Sequence, residues 1–343
     1  MGSKQRLASV LDRVGFSRAV LAARARSWFP WSWLTVLTYH RVGETVAPGF
    51  DPDVLDASPA GFDGHVRLLQ RYFNLIDTRD LDAWRAGGRL PPNPAMITFD
   101  DGYRDNHDVV MPILRRHNAK AVFFIATSYI TERRVFWWEL INHALSTTSK
   151  DELTLRYPRE VKLSLRGAAA RRIAIKAVLK LLKLEAGIDM DRFLGELYTL
   201  AGLPFSRDRE RAMADDMLMS WDHIRALGDA GFDVQSHSYA HRVLHTLTPD
   251  EVRQDLLRSR LDLEGALDRP VSSVAYPTGK PLGDAHLLRQ AVKDAGYRYG
   301  FTVEQLVPLP RMNDMLGIPR MMINQYVTDP LYRSTLAVPL LAY

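Results

Sequence analysis

Short apolar runs alternate with longer stretches of helical periodicity along most of the chain. Residues 34–42, 73–76, 94–99, 120–127, 231–237, 271–275 and 299–303 read as strands. They are short, rich in β-branched and aromatic residues, and bounded by Gly, Pro or polar positions. Between them, Phe62, His65, Val66, Leu69 and Tyr72 fall on one helical stripe, and a short helix is expected at 81–85. Residues 106–117 predict a helix broken at Pro112, with His107 and His117 on the surface. Ser220 caps a helix that ends near Gly228 or Gly231, and Thr248-Pro249 opens one that runs to about Leu267. A last helix is expected over 284–295. Strands alternating with helices imply βα units and a parallel sheet.

Two stretches interrupt this rhythm. Residues 131 to about 216 open with Phe136-Trp137-Trp138-Glu139 and predict a multi-helix insertion. Within it, Arg171, Arg172, Lys176, Lys180 and Lys183 stud a helix whose other side carries Ile175, Val178, Leu179 and Leu182. The simpler expectation is an apolar face packed on the domain with solvated lysines; contact with an anionic surface is the alternative. The second stretch is residues 1–34. Leu7, Val10, Leu11 and Val14 share helical spacing, with Lys4, Arg6 and Arg13 on other faces and Arg18, Arg24 and Arg26 following. Trp28-Phe29-Pro30-Trp31-Ser32-Trp33 comes next. This reads as a helix packed over the domain with the tryptophans in its core, or as an anchor lying in a membrane interface.

The chemistry concentrates where two of the strands end. Thr98-Phe99-Asp100-Asp101-Gly102 closes one with adjacent carboxylates, and Gly102 lets the backbone turn away. Burying two like charges side by side is costly unless a cation is shared, so the alternatives are a metal site and a solvated turn. His237-Ser238-Tyr239-Ala240-His241 follows another strand. Two imidazoles four residues apart can meet one ion, and two His with one carboxylate form a common set for a catalytic divalent metal. His40 and Arg41 sit at the C-terminal end of the first strand, where barrel enzymes gather catalytic groups.

These two motifs, in this order, resemble those of the polysaccharide deacetylases, the NodB-homology or carbohydrate esterase family four enzymes. The resemblance spans roughly residues 35–326. It implies an α/β fold, a distorted parallel (β/α) barrel of about seven strands. It also implies one divalent ion, Zn²⁺, on Asp101, His237 and His241, with Asp100 as general base. Tyr276-Pro277-Thr278-Gly279 aligns with the family's third motif, where the amide at Thr278 holds the oxyanion. Two departures matter. Ala275 stands where the family often has an Arg that orients the catalytic Asp, and Ile318-Pro319-Arg320 stands where many members have Leu-x-His with an acid His. Arg320 is therefore expected to orient Asp100, and His40 to act as general acid. The Pro-Arg pair resembles the exopolysaccharide-associated bacterial branch.

Composition narrows the rest. The 343 residues carry 45 Lys and Arg against 40 Asp and Glu, too slight a basic excess for nucleic-acid binding. There is no cysteine, hence no disulfide. The expected division is a basic helix with a Trp-rich linker at 1–34, the barrel at 35–330, and a tail at 331–343. The expected activity is removal of N-acetyl groups from amino sugars of a polysaccharide or its lipid-linked precursor, beside polysaccharide-synthesis machinery. The alternatives are an O-acetyl esterase or other amidase with the same site, and a non-catalytic glycan-binding barrel. No run approaches a membrane span or a signal-peptide core, so the expected place is cytoplasmic, peripheral at the inner face of the membrane.

Overall fold

The computed structural model describes residues 3–26, 34–185, 187–304 and 313–339. Seven parallel strands form a closed barrel: β1 (Thr35–Tyr39), β2 (Pro94–Phe99), β3 (Val122–Ile125), β4 (Asp233–Ser236), β5 (Ser273–Ala275), β6 (Tyr299–Val303) and β7 (Ile318–Met322). They neighbour one another in chain order. Leu37 of β1 pairs with Ile97 of β2 on one side and Met321 of β7 on the other, which closes the ring. Alternate side chains of the staves, among them Val36, Met96, Phe124, Phe301 and Ile318, make one apolar cluster in the lumen. The opposite faces join the larger core under the helices.

The seventh stave is not the one the sequence predicts. Residues 73–76 supply only a two-residue strand, Asn74–Leu75, paired with Pro94 and Ala95 at the start of β2. One edge of β2 already belongs to β1, and from Thr98 onward the other belongs to β3, so no room remains for a full stave. Closure falls instead to Ile318–Met322, which Pro319 disguises. Proline removes one ladder donor but leaves the strand otherwise intact, and Pro319 sits opposite Thr302.

Other expectations need smaller corrections. Residues 106–116 wind as a π-helical turn, Asn106–Val110, and then a helix, Met111–Arg116. Pro112 lies in that helix's first turn, where its missing N–H is harmless, so it breaks nothing. The insertion is helical at Trp137–Thr147, Gly167–Leu184, Met190–Ala201 and Arg207–Met217, but it also holds an antiparallel hairpin, Glu152–Leu155 with Val161–Ser164. On Gly167–Leu184 the apolar Ile175, Val178 and Leu182 are buried while Lys176, Lys180 and Lys183 are exposed.

The N-terminal segment forms two helices, α1 (Ser3–Arg13) and α2 (Phe16–Ala25), which turn at Gly15 with φ 77°. Both lie against a third, α3 (Asp329–Ala337), so the boundary drawn at 330 cuts a helix. The docked face is small and polar. Ala8 and Leu21 are buried, Ser17 Oγ meets Ser334 Oγ at 2.8 Å, and Arg333 grips Asp12 through two 2.8 Å bonds. Of the apolar stripe, Leu11 is half-buried, but Leu7, Val10 and Val14 are 48%, 55% and 70% exposed, against the packed-inward alternative. Trp28, Trp31 and Trp33 lie outside the described residues.

Candidate active site

Period two along β2 points Met96, Thr98 and Asp100 into the barrel, and Asp100 sits at its C-terminal mouth. Its N–H donates to Tyr39 O (2.9 Å), tying the strand end to β1. The next residue, Asp101, takes a left-handed backbone with φ 76°, and Gly102 follows at 98°. That turn splits the two carboxylates: Asp100 faces inward, and Asp101 faces the loop after β4.

Asp100 meets Arg320, which reaches in from β7 and is fully buried. The contact is bidentate, Nη1 to Oδ1 and Nη2 to Oδ2, both at 2.7 Å. The same guanidinium donates to Thr98 Oγ1 (3.2 Å) and Thr302 O (3.2 Å) and lies over the Phe124 ring. Burial alone would raise the Asp100 carboxyl, but the guanidinium holds it well below the usual carboxylate range. The structure thus brings together two residues the sequence only suggested as partners.

Asp101 meets both histidines. Its Oδ1 lies 3.4 Å from His237 Nε2 and 3.4 Å from His241 Nε2. His237 Nδ1 is 2.8 Å from Ala275 O, which assigns the ring proton to Nδ1 and leaves Nε2 as an acceptor. Burial, with His237 adding to it, pushes the His241 imidazole down to about 3, so it is neutral as a ligand must be. Asp101 Oδ1 and His241 Nδ1 are buried with no hydrogen-bond partner. A buried acceptor without a donor, ringed by two imidazole nitrogens, fits a divalent cation.

The loop carrying the histidines is held by a carboxylate that the sequence did not flag. Asp255 accepts from the Tyr239 and Ala240 amides at 2.8 and 3.1 Å, and Ser238 Oγ accepts from the His241 amide at 2.9 Å. Ser238 and His241 both have positive φ, at 67° and 49°. With Asp101 and Thr278, that places left-handed non-glycine backbone at four positions of the site, conformations of order 1–3 kcal/mol each that persist where surroundings enforce them.

His40 lies at the end of β1 as expected, and it too has an unforeseen partner. Asp56, buried on the short strand Leu55–Ala57, accepts from the His40 amide and lies 3.2 Å from its Nδ1. Burial disfavours the imidazolium, but Asp56 outweighs this and lifts His40 to about 9. Thr278 follows β5 in a left-handed turn, φ 63°, and is exposed; among the described residues its side chain makes no hydrogen bond.

The insertion contributes a wall. Trp138 packs 4.5 Å from the His241 ring and stacks on Phe136 at 4.4 Å. Trp138 Nε1 donates to Tyr103 Oη (3.1 Å), which donates to the buried Glu139 (3.0 Å). Burial pushes that carboxyl up to about 7. One other trio among the described residues could converge on a cation: His107, Asp108 and His223. It is half exposed, and Asp108 is already paired with Arg104 at 2.9 Å. His107 is therefore not a plain surface residue, since it stacks on His223 at 4.4 Å.

A family model for polysaccharide deacetylases matches residues 87–163 and 202–300, just over half of the chain. The chain belongs to this family, whose members are hydrolases acting on carbon–nitrogen bonds. The unmatched gap falls on the insertion helices Gly167–Leu184 and Met190–Ala201. No curated protein matches the chain. Among solved structures, the fold resembles the Streptococcus pyogenes deacetylase PplD (15% identity, TM-score 0.57, covering 89% of this chain and 97% of that one). It also resembles IcaB from Ammonifex degensii (16%, 0.54, 89% and 96%) and the BpsB deacetylase domain from Bordetella bronchiseptica (20%, 0.51, 84% and 95%).

The clamp makes a prediction that does not depend on turnover. Removing one partner of a buried ion pair strands the other, so Arg320→Met should cost about 3–5 kcal/mol in metal-free protein. Adding Asp100→Asn should recover much of that loss. Denaturant titration of the single and double variants checks it; additive losses would mean that the pair contributes no coupling.

Proposed function

We propose that the protein is a metal-dependent N-deacetylase that removes acetyl from amino sugars of a polysaccharide or its lipid-linked precursor. The observation that carries this reading is the buried, donorless Asp101 Oδ1 between two imidazole nitrogens, one residue from a carboxylate locked in place by arginine. Asp101, His237 and His241 would hold the ion, and their nitrogen and oxygen set suits Zn²⁺. A divalent cation there supplies Lewis acidity, polarising the acetyl carbonyl and lowering the pKa of water from about 16 toward about 7.

The chain's own groups do the remaining work. Asp100 takes a proton from the attacking water as the water oxygen bonds to the carbonyl carbon. Arg320 aims both carboxylate oxygens and keeps them ionised; a weakened base is adequate because the water is acidified. The Thr278 amide, placed at the mouth by its turn, is assigned to the developing oxyanion. His40, held as imidazolium by Asp56, gives its proton to the nitrogen as the C–N bond breaks, releasing acetate and a free amine. The Phe136–Trp138 wall gives the acetyl methyl an apolar surface. The Pro319-Arg320 pair supports placing the chain with exopolysaccharide-modifying members.

Metal analysis should find about one divalent ion per chain, and Asp101→Ala or His237→Ala should lose both ion and turnover. Full activity in a chelated, ion-free sample would overturn the reading. Asp100→Asn is isosteric and should keep the ion while activity falls on the order of 10²–10⁴-fold. A wild-type rate in that variant would send the proton elsewhere.

His40 gives the pH dependence. Its raised pKa keeps the acid protonated below about 9, and the proton is lost as pH rises through that value. Amide hydrolysis should therefore fall on an alkaline limb near pH 9. Asp56→Asn should move that limb to lower pH with metal content unchanged. A limb that stays in place would remove His40 as the donor.

A further inference from the structure

The α1–α2 pair turns its apolar stripe away from the protein. Leu7, Val10, Val14 and Phe16 are between 46% and 70% exposed. Arg6, Arg13 and Arg18 are exposed among them. The only acidic residue in the first 34 is Asp12, and Arg333 already holds both of its oxygens. The face is therefore an apolar strip bordered by cations with no unpaired carboxylate. The inward side is already satisfied by α3, so no rearrangement within the described structure would bury the strip.

The position of this face relative to the active site adds a second observation. Gln5 Nε2 donates to Tyr326 O (3.2 Å), joining the start of α1 to the segment just beyond β7. Met322 and Tyr326 in that segment are 44% and 55% exposed. Met322 lies two residues after Arg320, whose guanidinium grips Asp100 at the barrel mouth. The strip thus begins beside the segment that leaves the barrel mouth.

We propose that the outer face of α1 and α2 docks on an anionic bilayer surface. Leu7, Val10, Val14 and Phe16 sit at the boundary of headgroups and acyl chains, and Arg6, Arg13 and Arg18 meet lipid phosphates. The attachment is interfacial, since among the described residues no helix is long and apolar enough to cross a membrane. Charge selects this occupant over a second copy of the chain, because a symmetric pairing would set arginines against arginines. Docking brings the barrel mouth to the membrane surface, which selects a lipid-linked glycan as substrate; this last step alone rests on the deacetylase reading.

The test is sedimentation of the full chain with phosphatidylcholine vesicles, with and without phosphatidylglycerol. Wild type should bind only the anionic vesicles, and less as salt rises. Leu7→Ser/Val10→Ser/Val14→Ser should lose most of the binding. Arg6→Glu/Arg13→Glu/Arg18→Glu should weaken it by at least about 100-fold, at about 1 kcal/mol for each arginine. Both triples lie outside the active site and should retain metal content and hydrolysis of a soluble N-acetylated oligosaccharide. Negligible wild-type binding, equal binding by the triples, or a wild-type dimer that the serine triple splits into monomers would each overturn the proposal. Loss of hydrolysis with binding intact would instead count against the deacetylase reading alone.

Discussion

Two carboxylates on consecutive residues are buried at the end of one strand, and the structure around them answers to that constraint. In a low-dielectric setting they cannot both remain ionised unless each has its own counter-charge from a different direction. In a regular strand the alternation would point Asp101 outward under the helices; the left-handed backbone at Asp101 instead keeps it at the mouth, turned away from Asp100. Asp100 then belongs to the lumen and to Arg320, and Asp101 to the histidines beyond β4. The groups they face lie on β7 and just beyond β4, strands far apart in sequence that only a closed ring brings to the same mouth. Barrel closure and site assembly are thus one event. The two-residue strand Asn74–Leu75 could not replace β7, because it carries no cation at that height.

The same constraint shapes what the carboxylates can do. A bidentate arginine fixes Asp100 to within a hydrogen bond's tolerance but lowers its proton affinity. Such a group is a poor base toward ordinary water and a suitable one toward water made acidic by a cation. The arrangement at Asp101 has the opposite logic, with a donorless oxygen beside two imidazole nitrogens where a cation fits. Neither half is useful without the other, so the clamp and the ligand set are read as one device. His40 follows a third rule. Its charge depends on Asp56, outside the cluster, so the His40 imidazole can hold its proton while the Asp100 carboxylate stays ionised.

Much of this was legible in the chain. The Asp100-Asp101-Gly102 turn and the His237, His241 spacing pointed to the three residues that the fold brings together, Asp101, His237 and His241, because those residue types have few structural reasons to fall together at strand ends. Alternation of apolar runs and helical stripes carried the strands and helices, and the resemblance to the deacetylases carried the barrel. What stayed hidden depends on distance across the fold. Asp56 and Asp255 look like ordinary acids in polar segments, and only tertiary contact reveals what they hold. Pro319 masked β7, since local propensity speaks against proline where closure requires a strand. The amphipathic pattern of α1 was legible as a stripe, with packing over the domain and an interfacial anchor both left open, and the structure leaves most of that stripe exposed. Periodicity finds a face but cannot say which face docks, and small residues such as Ala8 and Ser17 gave α3 a closer fit.

The position of the guanidinium shows why a degenerate motif is a weak guide to a lost function. By resemblance, an arginine belongs at position 275, and Ala275 looks like the loss of the group that orients the base. Yet Ala275 still acts through its carbonyl, which fixes the His237 tautomer, and that role is indifferent to side chain. What Asp100 requires is a cation in its layer of the lumen, and any stave with an inward residue at that height can supply one. β7 does so with Arg320, two positions beyond the lumen-facing Ile318, braced by Thr98 and by the Thr302 carbonyl of the neighbouring β6. In a closed barrel the staves are geometrically equivalent toward the axis, so a charge can move between strands while its contact is preserved. A side chain absent from its usual place therefore says little until the other inward positions of its layer have been read.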